Sequence, residues 1–189
     1  MKYKAIIFDC FGVLYPNHAD GFEERHKEFL ANNSAFMDQL NLDIDLGKVT
    51  QADAYERLAK AMSSTSAKVQ TEMEARLVVD PKIVNVIREL KKKYKIGLLS
   101  NAGSEEIAVI SRDGLEELFD ATAISYEVGF LKPSPIIYKT CLERLHVRPQ
   151  ESVFVDDRML YLEAANKLGM HTIHYSAFGV VPSGLLELL

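Results

Sequence analysis

The sequence predicts an α/β fold: a parallel β-sheet covered by helices, interrupted once by an all-helical insertion. Three observations predict it. Five short apolar runs are continuous rather than alternating, as strands buried on both faces require. Helix-like segments separate the later runs, and strands alternating with helices imply a parallel sheet. Between the first and second runs, residues 16–79 contain no strand-like run at all.

The first strand is expected at Tyr3–Phe8, ending at Asp9 and a Gly-containing loop. The insertion follows, with helices expected at Gly21–Leu30, Ser34–Leu40, Gln51–Met62 and Ala67–Leu77. Thr50 to Asp53, "TQAD", has the form of a capping box opening the third of these. Asp80-Pro81 then marks a helix start, an N-cap followed by Pro at the first helical position. Ile83, Ile87, Leu90 and Tyr94 trace its apolar face, and Lys91–Lys93 suit its C-terminal end. The remaining strands are expected at Ile96–Leu99, Ala121–Ser125, Ser152–Val155 and Thr172–Tyr175. Helices are expected at Ser104–Ser111, Pro135–Leu145 and Leu160–Leu168, the last closed by Gly169. The domain division is therefore a core of residues 1–15 and 80–189 around a helical insert, 16–79.

Composition narrows the function. The 189 residues are 48% hydrophobic and 26% charged, ordinary for a globular protein with a full core. A net charge of −5 offers no broad attraction to nucleic acid or anionic membranes, so neither is expected as a partner. Cys10 and Cys141 have no metal-binding spacing and read as reduced thiols of a cytoplasmic protein. The N-terminal apolar run is too short for a signal peptide or a membrane span.

Chemistry-bearing residues recur where the strands end. Asp9 ends the first, Ser100-Asn101 the second, and Lys132 follows the third in "EVGFLKPSP". Asp156-Asp157 ends the fourth. Each alone is ordinary turn, cap or surface chemistry. Their shared position carries the inference, because parallel sheets gather ligand sites at the carboxyl ends of their strands. An aspartate can attack phosphorus to form an aspartyl-phosphate. Mg²⁺ would relieve the repulsion among clustered carboxylates, and a Ser hydroxyl with a Lys ammonium would hold the phosphoryl oxygens.

These stretches resemble the haloacid dehalogenase (HAD) superfamily of hydrolases. The matches are "FDCFGVL", "LLSNAG", "EVGFLKPSPIIY" and "VFVDDRMLYLEAANKLGM", in the family's order and spacing. The resemblance implies a Rossmann-like core with residues 16–79 as a small helical cap. It implies Asp9 as nucleophile and Ser100 as the phosphate-binding hydroxyl, with Asn101 beside it. Lys132 is implied to steady both nucleophile and phosphoryl group. Asp156, Asp157 and the backbone carbonyl of Phe11 are implied, with Asp9, to hold Mg²⁺. The expected activity is hydrolysis of a small phosphorylated metabolite. As a strand-end lysine, Lys132 is expected to be exposed and to matter more for turnover than for stability.

The chain departs from that pattern twice. Phe11 stands where the family's phosphatases carry a second Asp as general acid and base, and Tyr161 stands where relatives often carry Asn. Loss of the second Asp keeps two other readings open, a metal-independent 2-haloacid dehalogenase and a non-catalytic phosphate- or partner-binding protein. The Asp156-Asp157 pair disfavours the former, which must admit a carboxylate substrate, and Arg25 is the arginine nearest the first motif. His18 and Asp20, at the entrance to the insertion, read as a solvated cap face; hydrolysis is expected to favour phosphates with good leaving groups unless one of them or a substrate hydroxyl replaces the missing acid. Cys10 is expected to be a packed loop thiol. His171 and His174, three apart on one strand, face opposite sides and do not suit one shared metal.

Overall fold

A computed structural model of the chain describes residues 2–17, 20–74 and 78–189. His18 and the side chain of Asp20, the candidates for a replacement acid, lie outside the described residues. The five strands are β1 (Ala5–Phe8), β2 (Lys95–Ser100), β3 (Ala121–Ile124), β4 (Ser152–Asp156) and β5 (His171–His174). All neighbours pair in parallel, in the order β3-β2-β1-β4-β5. Each strand falls on an apolar run read from the sequence, with ends displaced by a residue or two.

The central strands β1, β2 and β4 are buried on both faces, which is why their runs are continuous, while the edge strands β3 and β5 are only partly buried. Ile6, Phe8, Ile96, Leu98, Val153 and Val155 point to one face. There they meet helix α6 (Pro81–Lys91), whose Ile83, Val84, Ile87 and Leu90 are all buried. Burial of each such side chain is worth about 1.5–3 kcal/mol. Ala5, Ile7, Leu99 and Phe154 point the other way, onto α10 (Pro135–Leu145) and α11 (Met159–Lys167). The α6 start is as expected: Asp80 Oδ1 accepts from the Lys82 amide at 2.9 Å, ahead of Pro81. Gly169 closes α11 at φ +90°, a conformation that suits glycine. At the C-terminus, α12 (Ser183–Leu186) seats Leu185 in the core.

The intervening helices are α1 (Asp20–Arg25), α2 (Lys27–Asn32), α3 (Ser34–Asp45), α4 (Gln51–Ala61) and α5 (Ser66–Glu74). The expected helix Gly21–Leu30 is broken near His26, and the expected Ser34–Leu40 runs on to Asp45 because Leu40 and Ile44 both face the segment's interior. The Thr50–Asp53 capping box is present, with the Asp53 amide donating to Thr50 Oγ1 at 3.1 Å. These helices carry an apolar cluster of their own, including Phe22, Leu40, Ile44, Tyr55, Leu58 and Val69. The chain leaves and re-enters the sheet region side by side, the Asp80 amide donating to the Leu14 carbonyl at 2.9 Å. After β2 the expected helix Ser104–Ser111 is two short pieces, α7 (Ser104–Ile107) and α8 (Val109–Arg112). A short helix α9 (Ser125–Val128) follows β3.

Candidate active site

Sheet register brings the strand-end residues together. Phe8 pairs with Val155, and the Asp9 amide donates to the Val155 carbonyl at 2.9 Å, so Asp9 and Asp156 leave adjacent strands side by side. Oxygens of Asp9, Asp156 and Asp157 lie within 4.8 Å of one another. The strand order reverses around β1, and the carboxyl edge beside such a reversal is where open α/β sheets form their crevice.

Lys132 reaches this cluster from the loop after α9. Its Nζ is 2.8 Å from Asp9 Oδ2 and 2.7 Å from Asp156 Oδ2. The exposed lysine expected from the sequence is in fact 3% accessible, because the loop folds inward and sandwiches the ammonium between two carboxylates. Burial opposes its charge, but Asp9 and Asp156 outweigh that and raise its pKa above the ordinary lysine value. Burial pushes the Asp9 carboxyl up, against the pull of Lys132 and with a further push from Asp156. The Cys10 amide donates to Asp9 Oδ1 at 2.7 Å and fixes the carboxylate's orientation.

Ser100 is buried at the end of β2, and its Oγ has no hydrogen-bond partner among the described residues. Asn101 does a different task. Its Oδ1 accepts from the Lys132 amide at 2.7 Å and its Nδ2 donates to the Lys132 carbonyl at 3.1 Å. The side-chain amide thereby pins the backbone of the lysine from both sides.

Asp157 is held differently from its neighbours. Its backbone carbonyl accepts from His174 Nε2 at 3.0 Å, and its Oδ2 accepts from Asn17 Nδ2 at 3.2 Å. Its Oδ1 is buried and unpartnered. Burial raises its pKa, partly offset by the Asn17 bond. Gly12, at φ +90°, makes room for it: a Cβ there would lie 2.5 Å from the Asp157 carboxyl carbon. His171 instead stacks edge-on to Tyr3 at 4.7 Å. Cys10 is fully buried, and burial, with Asp9 nearby, raises its thiol pKa well above normal.

Tyr161 forms a wall of the site. Its ring lies 4.8 Å from Lys132 Nζ, and its hydroxyl accepts from Arg158 at 2.8 Å. Arg158 also caps the acidic loop, its amide donating to Asp156 Oδ1 at 2.8 Å. Above these residues opens a cleft of about 520 Å³, lined by Phe11, Asn101, Asp157 and Arg158 below and by Asn41, Asp45 and Gln51 from the helical segment. Asn17, Asp45 and Arg158 were missed in the sequence. Only Arg158 carried a signal there, its place directly after the acidic pair.

The profile of the haloacid dehalogenase-like hydrolases matches residues 3–169. The chain is 27% identical over 197 residues to a glyceraldehyde 3-phosphate phosphatase of Methanopyrus kandleri, covering 90% of this chain and 82% of the relative. It is 26% identical over 186 residues to a D-ribitol-5-phosphate phosphatase of Bacteroides thetaiotaomicron, covering 89% and 90%. A HAD family enzyme of Bacteroides thetaiotaomicron, solved as a magnesium complex, superposes with a TM-score of 0.78 at 24% identity, covering 92% of this chain and 93% of that one. The chain therefore belongs to the haloacid dehalogenase-like hydrolase family.

Proposed function

We propose that the protein is a Mg²⁺-dependent phosphatase that hydrolyses a small phosphorylated metabolite in the cytoplasm, through an aspartyl-phosphate on Asp9. The observation that carries this reading is the buried Asp9–Lys132–Asp156 arrangement with Asp157 alongside. Three carboxylates against one ammonium leave an excess of buried negative charge, which is costly unless a cation joins it. The donors fit Mg²⁺, being hard oxygens, and the unpartnered Asp157 Oδ1 is among them. Asp9, Asp156, Asp157 and the Phe11 carbonyl would hold the ion. When bound, it supplies neutralising charge to the phosphoryl oxygens.

In this reading Asp9 Oδ2 attacks phosphorus and the substrate alcohol departs. Lys132 holds the nucleophile in place and offsets the charge of the transferring group. The free hydroxyl of Ser100 donates to a phosphoryl oxygen, and Asn101 keeps Lys132 at the required position. Water then attacks the aspartyl-phosphate and releases inorganic phosphate. Residues 16–79 act as the cap over a core of 1–15 and 80–189, closing the cleft against bulk water. The two phosphatase relatives are named for a triose and a pentitol phosphate, which supports a phosphorylated sugar or polyol as substrate.

The test is a screen of phosphorylated metabolites with Mg²⁺ and with chelator. Phosphate release that requires Mg²⁺ is expected. Chelator-resistant dehalogenation of 2-haloacids, with no phosphate release from any compound, would overturn the reading.

A further inference from the structure

The alcohol that leaves Asp9-bound phosphorus departs as an alkoxide unless it is protonated, and Phe11 carries no proton to give. The titratable side chains that line the cleft, among the described residues, are Glu23, Asp45, Glu106, Asp157 and Arg158. Glu23 is exposed. Glu106 accepts from the Gly103 amide at 2.8 Å, Asp157 belongs to the carboxylate cluster, and Arg158 is bound to Tyr161. Asp45 remains. It is half-buried, it lines the cleft opposite Asn101 and Asp157, and its carboxyl group has no hydrogen-bond or ion-pair partner among the described residues.

Its position is fixed by the fold. Asp45 is the last residue of α3, and its carbonyl accepts from Ser125 Oγ at 2.5 Å. The same Ser125 Oγ accepts from the Ala102 amide at 2.9 Å. One buried hydroxyl thus ties the end of α3 to the loops that follow β2 and β3, the two loops that carry Asn101 and lead to Lys132. Absence of a side chain at Gly103 permits the approach, since a Cβ there would sit 3.1 Å from both Ile44 Cγ2 and its carbonyl oxygen.

We propose that Asp45 is the catalytic acid and base of this enzyme, delivered from the helical segment in place of a side chain at position 11. The proposal rests on the phosphatase reading above. As Asp9 Oδ2 bonds to phosphorus, the bond from phosphorus to the ester oxygen breaks and its electron pair stays on that oxygen. The oxygen takes the Asp45 carboxyl proton and leaves as an alcohol. In the second step Asp45, now a carboxylate, accepts a proton from the attacking water as the phosphorus–Asp9 bond breaks. Inorganic phosphate departs, Asp9 recovers its carboxylate and Asp45 its proton. The electrostatics agree: burial and the facing Glu106 push the Asp45 pKa to about 7, while Lys132 and Arg158 pull against them. An acid poised near neutrality can both give and take a proton at working pH.

The experiment compares wild type with Asp45→Asn on p-nitrophenyl phosphate and on whichever triose, pentitol or hexose phosphate wild type cleaves fastest. The readout is kcat/KM, which covers only steps through formation of the aspartyl-phosphate. Asp45→Asn is expected to lower kcat/KM for the alkyl ester by about 10²-fold or more. The aryl ester, whose leaving group departs unprotonated, should keep kcat/KM within a few-fold, and this retention also establishes that the variant folds. In wild type, kcat/KM for the alkyl ester should fall as pH rises through about 7, and Asp45→Asn should lack that limb. Equal losses on both esters, no loss on either, or a wild type that cleaves aryl but no alkyl phosphates would overturn the role of Asp45 while leaving the phosphatase reading intact. A wild type that releases phosphate from neither ester class overturns both.

Discussion

Lys132 Nζ lies 2.8 Å from Asp9 Oδ2, and both side chains are almost wholly shielded from water. With Asp156 on its other side, the ammonium is the sole buried cation against two carboxylates among the described residues. Lys132→Ala therefore removes more than the charge proposed to act in catalysis. It should destabilise the metal-free protein by about 3–5 kcal/mol, as for other broken buried pairs. Mg²⁺ should return part of this, and turnover should stay at least about 10²-fold down even where the variant is folded. Urea denaturation in chelator and in Mg²⁺, with parallel assays, checks both. A variant as stable as wild type in chelator would contradict it.

Asn101 touches Lys132 only through backbone atoms. Asn101→Ala should leave the ammonium charged but poorly aimed, lowering kcat by about 10–10²-fold. KM should change little, since the amide is already committed to Lys132. Asn101→Asp should not rescue, because a carboxylate cannot donate to the Lys132 carbonyl. Steady-state kinetics on all three proteins decides this; a KM rise with unchanged kcat would make Asn101 a phosphate ligand instead.

Asp9→Asn keeps the side chain's shape and removes the charge proposed to attack phosphorus. Turnover should fall below detection while the unfolding transition stays close to that of wild type, since Asp156 still pairs with Lys132. Trifluoroberyllate soaked into wild-type crystals should sit on an Asp9 oxygen. Density on Ser100 or Cys10 instead would reassign the nucleophile.

Gly12→Ala tests the bed of the acidic cluster. Its φ of +90° disfavours any side chain, and the new Cβ would meet the Asp157 carboxyl group. A loss of at least about 1 kcal/mol in stability is expected. Asp157 should be displaced as well, so calorimetric titration should find weaker Mg²⁺ binding. Unchanged affinity would mean that Asp157 contributes nothing to the metal.

The elements that local pattern specifies were legible in the sequence. Continuous apolar runs marked the central strands because a strand buried on both faces admits no polar alternation, while the edge strands β3 and β5 are only partly buried and β5 reads His-Thr-Ile-His. Asp80-Pro81 and Gly169 marked helix ends because capping is settled within a few residues of chain. The strand-end positions of Asp9, Ser100 and Asp156 were equally visible, whereas Lys132 lies beyond α9 in the loop after β3. Helix limits inside residues 16–79 were less so: α3 continues to Asp45 because Ile44 finds a place in that segment's own core, a contact that no window of sequence contains.

By itself the sequence determined which residue types stand at the ends of parallel strands, since a strand's length and the direction of its side chains follow from period and polarity alone. The tertiary structure decided what those residues do to one another. The burial of Lys132 depends on two carboxylates at the ends of β1 and β4, the clamp by Asn101 spans 31 positions, and the tie that brings Asp45 over the cleft joins it to Ser125, 80 positions away. Burial and charge pairing are set by distance in space, and a chain specifies such distances only once its sheet has closed.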